Sequence, residues 1–230
     1  MKYSGFVSLL LGLLASITFA GSTIQEGKDY TLLSEPIPAV DPSRVEIIEA
    51  FSYTCIHCQH FEPLLLNFFQ QHAKQPITLR KVHVYWGNKF LNLIRLNVAV
   101  QENHVGNVAN SAIFKAILED GVDLSQERNI INWLNAQTKF DGKQVAKTYQ
   151  LASTQLKSRE IAKLTKRYGF EATPTLVVAG KYKVNLAALT SETDLERILT
   201  GLVELARRGT SIKLYPNSGA ELVARANGAS

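Results

Sequence analysis

The sequence predicts an α/β fold with an inserted all-helical domain, and three observations lead to this prediction. Val45–Phe51 is an apolar run with hydrophobic residues on both faces, as in a central strand, and a helical pattern follows it directly. A second strand-containing region lies at residues 173–184. Between the two regions, over residues 88–150, apolar residues recur at helical spacing. The 230 residues are enough to bury a substantial core.

Residues 1–20 have the pattern of a cleaved signal peptide. Lys2 supplies a positive charge, residues 6–19 are almost wholly apolar, and small residues follow at the expected spacing. The apolar run is shorter than the roughly 20 residues of a membrane-spanning helix, although an uncleaved anchor remains the alternative. No twin-arginine pair precedes the run. We therefore expect export by the general secretory route, a mature chain from Gly21, and no stable membrane anchor after cleavage.

Residues 27–88 are predicted to form the first half of the fold. Alternating apolar residues predict the strand that follows the first helix. Pro63 is compatible with the first turns of that helix. The expected elements are a strand at 29–33, a proline-rich connection at 35–42, the strand Val45–Phe51, a helix ending near His72, and a strand at 77–85.

Residues 89–152 are predicted to form the helical insertion, and residues 153–208 the second half of the fold. Gly169 fits the C-terminal cap of a long helix, and Ser191 with Asp194 has the spacing of a capping box at the start of the last helix. The expected elements are a helix at 153–168, a turn, a strand and a hairpin loop within 173–180, and the partner strand at 181–184. A last helix after Ser191 and a loosely held polar tail at 209–230 follow.

The charge pattern argues against nucleic-acid binding. The net charge of +5 is mildly basic, but the Lys and Arg residues are spread along the chain. Lys163, Lys166 and Arg167 have the spacing of one solvated helix face, without the exposed aromatic residues of a nucleic-acid surface.

Both cysteines of the chain lie in one motif, Cys55-Ile56-His57-Cys58, between the central strand and the next helix. Exported proteins often use disulfides as structural staples. A bridge that closes so short a loop removes little entropy from the unfolded chain, so it would stabilise the fold poorly. A catalytic or a metal-binding pair is the better interpretation.

The position of the motif favours thiol chemistry. Cys55 is expected just before the first turn of the helix, where unpaired N–H groups and the helix dipole stabilise a thiolate. His57 adds a positive charge or a donor. Both effects favour the reduced form and make the disulfide a stronger oxidant. Cys58 is expected to be more buried and to act as the resolving thiol.

The alternative is a metal site formed by Cys55, His57, Cys58 and His60. Zinc sites usually combine ligands from two separated segments, and the chain has no second cluster. A c-type haem needs His directly after the second Cys, where this chain has Gln59. We therefore expect no metal and no cofactor, and we interpret His60 as a surface or packing residue.

The Cys-Ile-His-Cys motif, Glu49 six residues before it, Thr173-Pro174 after a long helix, and the helical insertion together resemble the DsbA family of periplasmic thiol:disulfide oxidoreductases. The resemblance covers nearly all of residues 27–208. It implies a thioredoxin fold, with a central mixed sheet flanked by helices. It also implies a redox-active Cys55–Cys58 disulfide.

The resemblance implies further roles. Thr173-Pro174 matches a cis-proline turn that offers backbone atoms to a bound peptide, although an X–Pro bond is more often trans. Glu49 matches a buried acid beneath the resolving cysteine, and burial would raise its pKa. The helical insertion is expected to cap an apolar groove. Tyr53 and Trp86 are candidates to line that groove or, equally, to pack in the core.

The expected function is oxidation of exported proteins through a mixed disulfide. The implied partners are reduced exported proteins and a quinone-linked membrane reoxidant of the DsbB type. Three residues depart from the family pattern: Ile56 replaces a proline, Thr54 an aromatic residue, and Thr173 a valine. A disulfide reductase or isomerase therefore stays open, as does a redox-inactive chaperone or peptide-binding module in the periplasm.

Overall fold

The protein is described by a computed structural model over residues 23–214. The predicted signal peptide and residues 215–230 lie outside the described residues. The elements in chain order are β1 (Tyr30–Leu32), β2 (Val45–Phe51), α1 (Ile56–Gln71), β3 (Ile77–His83), α2 (Leu91–Glu102), α3 (Gly106–Leu118), α4 (Glu127–Asn135), α5 (Gly142–Gln150), α6 (Ala152–Arg167), β4 (Thr175–Val178), β5 (Tyr182–Val184) and α7 (Glu192–Leu214), with 3₁₀ turns at Asn88–Phe90 and Leu186–Ala188.

The five strands form one mixed sheet in the order β1-β5-β4-β2-β3. β2 pairs in parallel with β3 and antiparallel with β4. β2 therefore lies inside the sheet, and its residues after Val45 are all buried. The predicted central strand and the mixed α/β sheet are confirmed.

The five helices α2 to α6 lie between β3 and β4 in the chain, as the helical spacing predicted. β3 ends at His83, two residues before the predicted end. The reason is that the backbone leaves the sheet there: the Tyr85 N–H donates to the hydroxyl of Thr165 on α6, 3.1 Å away.

Three apolar clusters fill the interior. One lies between the sheet and helices α1 and α7, and another lies between the sheet and α6. The third is built mainly by α2 to α5, and it also takes in Phe51, Tyr53 and Cys58. The turn that carries the cysteines is therefore packed against the helical insertion.

The last helix begins as predicted, because the Asp194 N–H donates to the Ser191 hydroxyl, 3.1 Å away. It ends at Leu214, so the predicted change to a loose tail at residue 209 is wrong at that boundary. One glycine inside a long helix, here Gly209, costs only about 1 kcal/mol and does not end it. Neither this helix nor another one within residues 23–214 is long and apolar enough to cross a bilayer.

Gly180→Ala is expected to lower the free energy of unfolding by roughly 3 kcal/mol. Gly180 has φ 64°, and a Cβ there would lie 1.9 Å from the Ile37 carbonyl oxygen. The same backbone segment is fixed by the Ile37 N–H, which donates to the Gly180 carbonyl at 2.7 Å. Gly121→Ala is the matched control, because Gly121 has φ 68° but no atom within 4 Å of that position. Urea unfolding of both variants separates the cost of the positive φ, which both share, from the cost of the clash with Ile37. Equal losses of unfolding free energy would contradict the prediction.

Candidate active site

Cys55 is the N-cap residue of α1, as the sequence predicted. Its backbone is extended, with φ −102° and ψ 112°, and its carbonyl accepts from the Gln59 N–H at 3.1 Å. Its sulfur accepts from the Cys58 N–H at 3.3 Å. The sulfur therefore occupies the place of an N-cap oxygen, where backbone donors and the helix dipole stabilise negative charge.

The two thiols differ in their exposure. Cys55 is partly exposed, whereas Cys58 is fully buried in the core shared with the helical insertion. Burial raises the pKa of Cys58 far above its ordinary value. Cys58 is thus suited to remain a neutral thiol, and Cys55 is the sulfur that an incoming thiolate can reach.

The turn before β4 closes the site from the other side. The peptide bond between Thr173 and Pro174 is cis, as the resemblance implied. The Cys55 thiol donates to the Thr173 carbonyl oxygen, 3.4 Å away. A backbone segment 118 residues further along the chain therefore lies directly against the partly exposed sulfur.

A groove of about 520 Å³ begins at this point. It runs between α1, the cis-proline turn, the 3₁₀ turn at Leu186–Ala188 and the start of α7. Most of its lining is apolar and belongs to the sheet-containing part of the fold. Its lining includes the side chains of His57, Phe61, Leu64, Leu186, Leu189 and Leu195.

The groove does not lie against the helical insertion, so that prediction is wrong for this groove. Tyr53 is fully buried and packs edge-on against Phe114, with ring centroids 5.3 Å apart. Trp86 is 44% exposed and donates from its indole N–H to the Phe170 carbonyl at 3.0 Å. The insertion uses its apolar faces to form its own core, and Tyr53 is part of that core.

Glu49 lies on β2 and is fully buried, as predicted. Burial raises the pKa of its carboxyl group, and the Lys81 ammonium opposes that rise. Lys81 faces Glu49 in the parallel register and donates to its Oε2 at 2.5 Å. The same ammonium pairs with Glu62, which lies four residues after Cys58 on α1.

Comparison with known proteins identifies the arrangement. No family model matches the chain. Over 204 residues the chain is 31% identical to the thiol:disulfide interchange protein DsbA of Burkholderia cepacia, a match that covers 85% of the chain and 92% of that protein. The chain belongs to the DsbA family. The DsbA of Pseudomonas aeruginosa strain PAO1 is 26% identical over 210 residues, covering 86% of the chain and 96% of that protein.

Solved structures of the DsbA family share the fold. The oxidoreductase NmDsbA1 from N. meningitidis superposes with a TM-score of 0.76 at 34% identity, covering 81% of this chain and 96% of that one. Pseudomonas aeruginosa DsbA superposes with a TM-score of 0.71 over 80% of this chain and 95% of that one, at 23% identity. The fold is therefore the DsbA form of the thioredoxin fold, with helices inserted between β3 and β4.

Within this DsbA-family site, His57 of the motif and the nearby His60 lie at the surface. His57 and His60 are both exposed, and His57 also lines the groove. Solvent screens a charge at such a position, so the influence of His57 on the Cys55 thiolate stays a prediction. Among residues 23–214, no group of three or more His, Cys, Asp or Glu side chains is arranged to hold a metal ion.

His83 is a site residue that the sequence did not indicate. It is fully buried beneath the turn before Cys55, and its Nε2 accepts from the Tyr53 N–H at 3.1 Å. Its Nδ1 lies 3.0 Å from the Val84 carbonyl oxygen, which can only accept. The ring is therefore neutral, with its proton on Nδ1, and it fixes the backbone of the turn.

We expect acid to destabilise the fold through His83. Burial lowers the pKa of His83 to about 4 from its ordinary 6.5. The unfolded chain then binds a proton more readily, so this stability is present above pH 6.5 and is lost as the pH falls to 4, by up to about 3 kcal/mol. Urea unfolding between pH 7 and pH 4 measures the loss. His83→Gln should flatten this part of the profile, whereas His60→Gln, at an exposed site, should leave it unchanged; two parallel profiles would contradict the assignment.

Proposed function

We propose that this chain oxidises reduced exported proteins by passing on a disulfide between Cys55 and Cys58. One observation carries the proposal. A partly exposed sulfur at a helix N-terminus lies against the backbone of Thr173, beside an apolar groove, while its partner sulfur is buried. This arrangement lets an extended, unfolded peptide reach one sulfur only.

The reaction follows from that asymmetry. A substrate thiolate attacks the Cys55 sulfur, the bond between the two cysteines breaks, and Cys58 leaves with the electron pair and takes up a proton. A second substrate thiolate then attacks the substrate sulfur of the mixed disulfide, and Cys55 leaves as a thiolate. The substrate has lost two electrons, and the chain has gained them as a dithiol.

The remaining residues support this exchange. Thr173 and Pro174 present backbone atoms to the peptide beside the mixed disulfide. His57 adds positive charge near Cys55 when it is protonated, and Glu49 tunes the proton balance beneath Cys58. The two halves of the fold, residues 27–88 and 153–208, supply these groups, and the insertion at 89–152 covers the buried side of the turn.

The cellular setting is part of the proposal. Residues 1–20 act as a signal peptide for the general secretory route, so the mature chain works in the periplasm. Its substrates are reduced exported proteins. Its reduced form is returned to the disulfide by a quinone-linked membrane protein of the DsbB type.

The equilibrium of the Cys55–Cys58 bridge with glutathione tests the proposal. An oxidase needs a bridge that glutathione reduces readily, because the Cys55 thiolate is stabilised in the reduced form. A bridge as resistant to reduction as a structural disulfide would overturn the oxidase proposal and favour a reductase. A second assay follows the reduction of insulin disulfides. If Cys55→Ala is as active in that assay as the unmodified chain, the enzymatic role of Cys55 is contradicted, and a redox-inactive peptide-binding module is the remaining hypothesis.

A further inference from the structure

A chain of side-chain hydrogen bonds begins at the backbone of β3, and it is partly buried at Gln101 and buried from Asn97 onward. The Gln101 amide donates from Nε2 to the Lys81 carbonyl oxygen at 2.6 Å and to Asn97 Oδ1 at 2.8 Å. Asn97 in turn donates from Nδ2 to the Tyr53 hydroxyl at 3.5 Å. Because a backbone carbonyl can only accept, the Gln101 amide has one allowed orientation, and it sets the orientation of the Asn97 amide.

The chain ends on the carboxylate of Glu62. The Tyr53 hydroxyl donates to Asn110 Oδ1 at 2.7 Å, and Asn110 Nδ2 donates to Glu62 Oε1 at 3.1 Å. Burial raises the pKa of Tyr53 well beyond its ordinary value, so its hydroxyl stays a donor. From Gln101 onward every donor points towards Glu62, and Glu62 Oε1 receives a hydrogen bond from a donor whose orientation is fixed.

The two buried carboxyl groups are therefore not equivalent. Glu62 accepts at both oxygens, from Asn110 and from Lys81. Glu49 accepts at Oε2 from Lys81, while its Oε1 is buried without a partner. Two carboxylates beside one ammonium would leave a net negative charge in the core, which burial disfavours strongly. One of the two carboxyl groups must hold a proton.

We propose that Asn110 is a positioning residue that holds Glu62 as the ionised partner of Lys81 and leaves Glu49 as the carboxyl group that carries the proton. An unpartnered buried oxygen is less costly on a neutral carboxyl group than on a carboxylate. A carboxylate with a donor on each oxygen is correspondingly stabilised. The hydrogen-bond chain through Tyr53 thus selects which acid is protonated.

The charged and titratable groups around the pair come from every neighbouring element. β2 supplies Glu49, β3 supplies Lys81 and, two residues later, the neutral His83, and α1 supplies Glu62 and Cys58. The Lys81 ammonium also lies over the Phe51 ring, 4.5 Å from its centroid.

One more group faces the cluster from the connection between α2 and α3. His104 is exposed at the rim of a cavity of about 320 Å³ that Lys81 and Asn110 also line. Solvent screens a charge on His104, so that charge does not decide the protonation of the buried pair.

The consequence for thiol exchange rests on the proposed function. Glu62 lies one helical turn after Cys58, on the same face of α1. With Glu49 protonated, Lys81 and Glu62 form a neutral pair, so the cluster adds no net negative charge against Cys58 as it leaves with the electron pair. A second ionised acid would oppose that step.

Carbon-13 NMR of glutamate carboxyl groups in the reduced, full chain tests the inference without a substrate. Glu49→Gln and Glu62→Gln assign the two signals. In the unmodified chain, the Glu49 signal is expected to titrate well above the ordinary carboxyl range, with Glu62 ionised. Asn110→Leu removes the donor to Glu62 with little change in volume. The proton affinity of Glu62 should then rise by about tenfold, and that of Glu49 should fall in response.

Two further variants complete the design. Tyr53→Phe removes one oxygen, frees the Asn110 amide to turn, and should shift the titrations in the same direction by a smaller amount. It also keeps the test decisive where Asn110→Leu fails to fold. Asn107→Leu changes an exposed asparagine on the same helix and should shift neither titration.

The inference is overturned by a Glu62 that titrates at higher pH than Glu49 in the unmodified chain. It is also overturned by Asn110→Leu and Tyr53→Phe titrations that match those of Asn107→Leu. A merely structural role for Asn110 would lower stability without shifting either of the two titrations. Because the measurement uses the reduced chain alone, its outcome is separate from that of the glutathione equilibrium that tests the oxidase function.

Discussion

Cys55→Ser is expected to lower the rate of disulfide transfer to a dithiol peptide by at least roughly a thousandfold. Cys55 is the partly exposed sulfur at the α1 N-terminus, and Cys58 is fully buried beside it. The Cys55→Ser chain cannot form the Cys55–Cys58 disulfide, and its remaining motif sulfur is buried, so a substrate thiolate has no disulfide to attack. The loss is measured as the rate at which the peptide becomes oxidised, followed by mass spectrometry, with the chain first treated with oxidant.

Cys58→Ser is expected to produce the opposite defect, an accumulated adduct. The Cys55 thiolate still attacks a disulfide-containing peptide, one peptide sulfur leaves as a thiolate, and the mixed disulfide persists because the resolving thiol is absent. Non-reducing electrophoresis shows the adduct as a band of higher mass.

The variant with both cysteines changed to serine is the matched control for this pair. It retains the groove and the cis-proline turn but has no sulfur, so it should form no adduct. An adduct yield for Cys58→Ser no greater than that of the double variant would contradict the assignment of Cys55 as the attacking thiol. So would a Cys55→Ser chain that oxidises the peptide at an undiminished rate.

The parts of the site that the sequence predicted are those set by local order. Cys55 and Cys58 share one turn, and the strand before them and the helix after them have clear hydrophobic patterns. The burial of Glu49 followed from its place in a strand with apolar residues on both faces. The sequence also shows directly that Glu49 lies six residues before Cys55.

The parts that the sequence did not predict depend on register and on distant contacts. Lys81 meets Glu49 because β2 and β3 pair with those two residues opposite each other, and a shift of one residue would turn the side chain to the other face. Asn110 reaches Glu62 across 48 residues of sequence. A lysine inside an alternating strand gave one signal, since a charged residue on a covered face needs a partner.

The position of the apolar groove could not be predicted from the sequence either. The resemblance suggested an apolar groove near the helical insertion, but the groove is lined by side chains from both halves of the fold, such as Leu64 on α1 and Leu195 on α7. Neither leucine is distinguishable from a core residue in the sequence. Leu64 stays partly uncovered where the groove runs between α1, the cis-proline turn and α7, whereas Leu195 lines the groove but is buried.

Lys81→Met is expected to lower the free energy of unfolding by about 3 to 5 kcal/mol at neutral pH. Lys81 is 6% exposed and is the cation shared by Glu49 and Glu62. Burial by itself would lower the pKa of Lys81, but the neighbouring Glu49 and Glu62 outweigh it and raise the pKa. Methionine fills a similar volume, so the loss reports the two acids left without their cation.

The pH dependence of the Lys81→Met loss has a definite sign. Burial already raises the pKa of Glu49, so the folded chain binds this proton more tightly than the unfolded chain does. Stability from this group is therefore greatest below the ordinary carboxyl pKa and is lost as the pH rises through the folded pKa. Without Lys81, that pKa rises further. The deficit should be smallest near pH 4 and largest near neutral pH.

Urea unfolding of Lys81→Met and of Lys115→Met separates burial from pairing. Lys115 forms an ion pair with Asp120 at the same 2.5 Å that separates Lys81 and Glu49, but its side chain is 57% exposed. An exposed pair contributes at most about 1 kcal/mol, so Lys115→Met should have little effect at either pH. Adding Glu49→Gln to Lys81→Met should restore part of the stability, because one of the two unpaired acids is removed. A Lys81→Met deficit that is independent of pH, or one that Glu49→Gln enlarges, would show that lost packing and not buried charge sets the stability at this position.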